Sequence, residues 1–220
     1  ATSQDHKRAL DGDRGPNTGG MGVYSPVPIL LPDELEQMVQ IERQVVGQLR
    51  ADGIIYQGCL YGGFMLTKDG PKVLEFNARF GDPETQVVLP RMKADLVECF
   101  LACDDGSLDE AMVRWEDDWA VSVVLASKGY PGHYEKGKPI SGIADANAMD
   151  GVTVSHAGTR RDGGGRIVTD GGRVLDVTAV AGSFEDARNL AYQACDRISF
   201  EGKTYRHDIG IKAIKGRANL

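Results

Sequence analysis

"KVLEFNARFGDPETQ", residues 72–86, decides how this chain is read. Its first half alternates like a strand, and its second half is a polar loop carrying Arg79, Asp82 and Glu84. Residues two apart on a strand share a face, so Leu74 and Phe76 are expected to pack into a core while Glu75 and Asn77 point the other way. A carboxylate and an amide oxygen so placed are hard-oxygen donors suited to Mg2+, which takes one or two protein oxygens and completes its shell with water and substrate phosphates. The bland alternative is a solvated outer face. Arg79 adds a planar fork that grips phosphate or carboxylate. Asp82 and Glu84 lie near the start of the next helix, whose N–H groups either hold an anion or are simply capped by Asp82.

Working outward, residues 1–28 read as loop, punctuated by Gly15, Pro16, Asn17, Gly19, Gly20 and Gly22. Within it, "GPNTGGMG" (15–22) allows close backbone approach to a ligand, and its amides could form an anion nest; the alternative is an ordinary loop. It lacks the Lys-Ser/Thr ending of a P-loop and follows no visible strand, so neither nucleotide fingerprint fits. Asp13 stands just before it as a polar handle, and Asp5–Arg8 places two cations nearby, either for a phosphate or as a solvated cluster. "PDELEQMVQIERQVVGQLRADG" (32–53) predicts a helix: Leu35, Met38, Val39, Val45, Val46 and Leu49 form an apolar stripe, acidic residues open it and Gly53 ends it. Residues 54–66 predict a strand, followed by a turn at Lys68–Gly70 into the strand already quoted. Residues 84–106 predict a helix that bends or begins anew near Pro90.

The composition changes near Gly106. "WAVSVVLAS" (119–127) is a strong strand, three short strands follow between glycines, and Ser183 with Asp186 opens a helix through a capping-box pattern. His156 in "SHAGT" and Arg173 in "GGRVL" are weaker cleft candidates. No Ser-His-Asp or Cys-His arrangement argues for a covalent nucleophile.

Net charge is −7 with no long basic run, which excludes an electrostatic footprint for nucleic acid. The four cysteines, Cys59, Cys99, Cys103 and Cys195, form no CxxC pair and are expected to be buried apolar residues in a reducing compartment. No stretch is long and apolar enough for a membrane span, and no signal peptide is visible. A cytoplasmic protein is the expectation, and the opening, which lacks Met, reads as the middle of something longer.

In order along the chain, "SQDHKR", "DGDRGPNTGGMGVYSP", "LEFNARFGDPETQ", "YPG", "HAGT" and "GGRVLDVTA" together resemble the phosphoribosylamine–glycine ligases (glycinamide ribonucleotide synthetases). The resemblance covers nearly the whole chain. It implies an α+β fold: the C-terminal part of an ATP-grasp domain, an antiparallel sheet with helices, over residues 1–106, then a small α+β C-terminal domain over 107–220. It implies ATP-driven joining of glycine to 5-phosphoribosylamine, giving glycinamide ribonucleotide, ADP and phosphate, with the glycine carboxylate phosphorylated on the way. Glu75 and Asn77 match the family's Mg2+ or Mn2+ ligands, Arg79 and Asp82 its reacting-centre loop, and Asp13 with Thr18, Gly19 and Gly20 the loop beside the substrates. The implied partners are ATP, glycine and 5-phosphoribosylamine, with no nucleic acid or membrane, and a monomer is favoured. The family's N-terminal domain and ATP lid have no match here, so the chain is expected to be a fragment, inactive alone. The competing readings are another ATP-grasp ligase or carboxylase, and a non-catalytic binding remnant.

Overall fold

The computed structural model describes residues 1–216. Along the chain run β1 (Gln4–Asp5), β2 (Arg8–Leu10), β3 (Arg14–Asn17), β4 (Gly22–Ser25), α1 (Pro32–Ala51), β5 (Tyr61–Thr67), β6 (Gly70–Asn77), α2 (Thr85–Val88) and α3 (Leu96–Asp105). There follow β7 (Trp119–Ser127), α4 (Ile143–Asn147), β8 (Val152–His156), β9 (Thr159–Arg161), β10 (Ile167–Thr169), β11 (Arg173–Ala181), α5 (Phe184–Arg197), β12 (Lys203–Thr204) and α6 (Ile211–Lys215). The architecture is α+β with antiparallel pairing throughout. Two compact units share the chain, and they interleave. The first takes Ala1–Pro26, Asp82–Arg91 and Asp117–Ile211; the second takes Val27–Gly81, Met92–Glu116 and, of the described residues, 212–216. Compactness therefore does not follow the consecutive division 1–106 and 107–220.

The first unit is built on one sheet, in the order β1-β4-β7-β11-β8, with β12 pairing the far end of β7. β7 is buried on both faces from Ala120 to Ser127, which is why its sequence is a near-continuous apolar run rather than an alternation. Ala187, Ala191, Ala194, Cys195 and Ile198 form the buried face at α5, which packs on β7 and β11. Ser183 starts α5 as expected, its hydroxyl accepting from the Asp186 N–H at 3.1 Å and donating to the Asp186 carboxylate at 2.7 Å. Residues 1–28 differ from the loop expected of them. Their glycines and prolines look like punctuation, yet β1 and β4 add two strands to this sheet, and β2 with β3 makes a separate hairpin. Pairing with distant β7 supplies what local propensity does not.

The β2–β3 hairpin is held by a charge network. Arg206 is only 1% exposed. Its guanidinium donates to both Asp208 oxygens (2.7 and 2.8 Å), to Asp13 Oδ1 (3.0 Å) and to the Arg8 carbonyl (3.0 Å). The Gly12 N–H donates to Asp208 at 2.8 Å. Burial alone would raise the Asp208 carboxyl, but the Arg206 hydrogen bonds hold it well below the usual carboxylate range. Removing the buried guanidinium leaves the partly buried Asp208 and the half-exposed Asp13 without their counter-charge. Arg206→Met is therefore expected to cost about 3 kcal/mol, read as a lower urea midpoint at unchanged slope. An unchanged midpoint would refute the network's contribution.

In the second unit, α1 forms over the predicted span, with Pro32 in its first turn and Glu34 accepting from the Leu31 N–H at 2.9 Å. Its stripe is less covered than the pattern suggests: Leu35 and Val46 are exposed, and Met38, Val39, Val45 and Leu49 are half-buried. The strand expected from residue 54 begins only at Tyr61, and Ile54 and Ile55 lie exposed outside it. β5 and β6 form a two-stranded ribbon with the turn where predicted. Its register contains a bulge: Gly63 pairs with Glu75 and Phe64 with Val73, which leaves Leu74 as the extra residue. Leu74 is 61% exposed and Phe76 37%. The expectation that both pack into a core is thus corrected: Phe76 meets Phe64 edge-on at 6.5 Å, while Leu74 fills no core site. The predicted break near Pro90 is present, as a 3-10 turn at Leu89–Arg91 before α3 starts afresh, capped by Asp95.

All four cysteines are free; Cys99 and Cys195 are buried, Cys59 and Cys103 half-buried. Among the described residues, no helix is long and apolar enough to cross a membrane.

Candidate active site

Glu75 and Asn77 sit at the end of β6, in the second unit. The register sets Glu75 opposite Gly63 and Asn77 opposite Tyr61, so the two share one face of the ribbon despite the bulge before them. Glu75 is exposed and Asn77 half-buried. Among the described residues Glu75 makes no ion pair, and no group of three or more His, Cys, Asp or Glu could hold a metal. A two-oxygen donor set of carboxylate and amide suits a Mg2+-like cation that fills its shell from water and phosphate, so these residues fit such an ion. Arg79 follows in the same unit, exposed, with Nη1 donating to the Phe80 carbonyl at 2.9 Å.

The first unit brings together the other expected residues. Asp82 is not a helix cap. α2 has only four residues, and its amides turn inward: Gln86 N–H donates to the Pro83 carbonyl and Val87 N–H to that of Glu84. The Asp82 carboxylate is instead held from two sides, by Gln86 Nε2 on Oδ1 (3.2 Å) and Arg173 Nη2 on Oδ2 (2.7 Å). Its side chain stays half exposed. Glu84 is buried at 3% exposure, with Lys7 Nζ 3.8 Å away.

The glycine-rich loop is ordered by its own hydrogen bonds. Thr18 N–H donates to the Lys7 carbonyl (2.7 Å), Gly19 N–H to the Tyr130 hydroxyl (3.0 Å), Gly20 N–H to Thr18 Oγ1 (3.0 Å) and Met21 N–H to the His6 carbonyl (2.9 Å). These four amides are all spoken for, which corrects the expectation of an open anion nest there. Gly20 adopts φ +124°, and a Cβ on it would lie 2.5 Å from Pro83 Cδ and 2.8 Å from Asp5 Oδ1, so only glycine fits between the loop and the Asp82–Pro83 turn. Asp13 lies in the β2–β3 turn at φ +52° and is engaged by Arg206. The cations of Asp5–Arg8 are likewise occupied. Lys7 pairs with Asp5 at 2.6 Å, and Arg8 reaches the Asp13 carbonyl and Asn17. Burial pushes the Asp5 carboxyl up to about 6 against the pull of Lys7.

His156, exposed, bonds Thr159 Oγ1 at 2.8 Å and stays structural. Sequence reasoning missed Asp176, which is 2% exposed on central strand β11. Burial is the main cause that lifts its carboxyl to about 7; the Asp82 charge adds to this, while Arg173 and Gln86 oppose it. Asp176 Oδ1 and Gln86 Oε1 have no donor. The signal available was a lone acid inside the apolar run "RVLDVTAV".

Comparison with known proteins completes the assignment. A family model for the phosphoribosylglycinamide synthetase ATP-grasp (A) domain matches residues 1–85, and one for the C domain of the same synthetase matches 120–212. Phosphoribosylamine–glycine ligase from Chlorobaculum tepidum is 50% identical over 214 residues, covering 97% of this chain and 50% of that protein. The crystal structure of the Thermotoga maritima phosphoribosylamine–glycine ligase superposes with a TM-score of 0.81 at 37% identity, over 94% of this chain and 50% of that one. N5-carboxyaminoimidazole ribonucleotide synthetase from the same organism shares the fold at TM-score 0.59 and 19% identity, over 81% of this chain and 45% of that one. The chain spans about half the length of the ligases it matches. With both family models in order along it and half its residues shared with a ligase, the chain belongs to the phosphoribosylamine–glycine ligase family of ATP-grasp proteins.

Proposed function

We propose that this chain carries the metal-ligand strand and the C-terminal part of a ligase that joins glycine to 5-phosphoribosylamine, with ATP converted to ADP and phosphate, in purine biosynthesis. The observation that carries the reading is the shared face of Glu75 and Asn77 within the stretch matched by the ATP-grasp model. A cation held by these two residues, Mg2+ or Mn2+, supplies charge neutralisation at the phosphates of ATP. Arg79 follows two residues later and stabilises charge on the group in transfer through its guanidinium. Asp82, fixed by Gln86 and Arg173, presents its half-exposed carboxylate to the reacting centre. Asp13 and Thr18, Gly19 and Gly20 flank the substrates as a preset wall, since their loop is already internally bonded. Positioning and electrostatics suffice for phosphoryl transfer followed by amine attack on the glycyl phosphate, and no covalent protein intermediate is needed. On this reading the protein works in the cytoplasm on small molecules, as a monomer, with neither nucleic acid nor membrane as partner. The two-part organisation 1–106 and 107–220 is retained as a division by sequence, supported by family matches that end at 85 and resume at 120.

The test is a chimera in which this chain replaces the matched half of the Chlorobaculum tepidum ligase. It is expected to release ADP only when glycine and phosphoribosylamine are both present, whereas the chain alone releases none. ADP release driven by a different acid or amine would assign another ATP-grasp ligase, and turnover by the chain alone would overturn the fragment reading.

A further inference from the structure

Three motifs, "YPG", "HAGT" and "GGRVL", enter the reading above only through the grip of Arg173 on Asp82 and of Tyr130 on Gly19. They converge on one point of the first unit. We propose that Tyr130 and Arg173 are positioning residues that clamp the Gly19 peptide and the Asp82 turn into a single arrangement, so that the glycine-rich loop and the reacting-centre loop move as one body.

The Gly19 peptide is held at both ends. Its N–H donates to the Tyr130 hydroxyl at 3.0 Å, and its carbonyl accepts from Arg173 Nη1 at 3.1 Å. The same Nη1 donates to the Asp82 carbonyl at 3.0 Å, and Nη2 to the Asp82 carboxylate at 2.7 Å. One guanidinium thus ties two segments that lie 63 residues apart in sequence, from Gly19 to Asp82. The close approach has a steric signature. A Cβ on Gly19 would stand 3.1 Å from Arg173 Cζ and 3.2 Å from Nη2, so the guanidinium lies close against Gly19 and would have to shift by a few tenths of an ångström for any larger residue. At Gly172 the Tyr130 ring occupies the place a Cβ would take, which sets that ring beside Arg173.

The clamp is itself anchored. Ser127 N–H donates to the Gly172 carbonyl (2.8 Å) and its hydroxyl to that of Gly171 (2.9 Å), and Gly158 N–H donates to the Arg173 carbonyl (2.9 Å). "HAGT" and "GGRVL" are thereby explained as the frame that sets Arg173, and "YPG" as the source of the hydroxyl. Gln86 grips the second Asp82 oxygen, so the turn cannot swivel about Arg173 alone. A lysine in place of Arg173 puts its donors on one nitrogen, without the planar fork whose two nitrogens hold Gly19 and Asp82 in fixed relative positions.

The first arm of the test is hydrogen exchange on this 220-residue chain. Tyr130→Phe removes one neutral hydrogen bond and is expected to speed exchange at Gly19 roughly fivefold. Arg173→Gln is expected to speed it roughly tenfold across Gly19 and Gly20, a modest figure because Asp82 is half exposed. Amides of β7 and α5 should keep the wild-type rate in both variants, which separates local release from unfolding. Unchanged exchange at Gly19 and Gly20 in both variants overturns the clamp. The second arm uses the chimera and rests on the ligase reading. Arg173→Gln and Arg173→Lys should both lower kcat about tenfold with KM for ATP held within twofold. Rescue by lysine, or wild-type kcat alongside faster exchange, overturns the positioning role. A wild-type chimera without activity counts against the ligase reading and leaves the exchange arm to decide the clamp.

Discussion

Glu75→Ala, made in the chimera, is expected to lower turnover by about two to three orders of magnitude, because a metal's charge neutralisation is worth several kcal/mol and each 1.36 kcal/mol is a factor of ten. The side chain is exposed and makes no ion pair among the described residues, so its loss should leave thermal stability within about 0.5 kcal/mol of wild type. Titration with Mn2+ should show weaker metal affinity in Glu75→Ala, with half-maximal activity shifted to higher metal and activity partly recovered there. Asn77→Asp offers the complementary check, since a second carboxylate keeps an oxygen donor at the position. If Glu75→Ala turned over at wild-type rate, the metal assignment would be lost while the fold assignment stood.

The second large effect concerns pH. Asp176 titrates at about 7 in the folded chain, mainly through burial, against about 3.9 in an unfolded one. Between those values the unfolded chain has released a proton that the folded chain still holds. This group's contribution is therefore fully favourable below pH 4, and it is lost as pH rises toward 7, by up to about 1.4 kcal/mol per pH unit. Over the whole window that amounts to about 4 kcal/mol. Asp176→Asn keeps the shape, removes the titration and places an amide donor where Gln86 Oε1 lacks one. The variant should match wild type near pH 4 and exceed it at pH 8, by about 4 kcal/mol in urea titrations. Asp5, raised to about 6, contributes a slope of the same sign to both proteins and cancels in the comparison. Parallel curves for the two proteins across pH 4–8 would show that Asp176 is ionised throughout.

Local pattern carried much of the fold. β7 is a near-continuous apolar run, α5 has a capping start and an alanine-rich face, and both form where the sequence places them. What failed did so for non-local reasons. The glycines and prolines of residues 1–28 weaken any strand signal, and β4 exists because β7 pairs with it from Gly22↔Val123 to Ser25↔Ala120. Alternation through Leu74 and Phe76 predicted a packed face, but the bulge spends Leu74 as the unpaired residue, and a bulge leaves no mark in a hydrophobicity pattern. The Glu75–Asn77 face was legible because both residues lie past the bulge, where the period of two resumes. Arg206 was invisible, since its partner Asp13 stands 193 residues away. Asp82 was legible as a site residue only through the resemblance; the charge run by itself suggested a helix cap, and the grip of Arg173 from β11 decides otherwise.

The interleaving of the two units fixes an order of events during synthesis. α1, β5 and β6 lie within residues 32–77 and meet their partners as soon as that stretch is free. β4 must wait for β7, about a hundred residues on, which at ordinary elongation rates is roughly 5–20 s as an unpaired edge. The β2–β3 turn waits longer still, for Arg206 and Asp208. Residues 4–25 are thus locked later than the stretch 32–77 that is made after them. Termination before residue 206 leaves Asp13 and the Arg8 carbonyl without their guanidinium, so the β2–β3 turn is the part of the first unit whose locking depends on completion of the chain to that point.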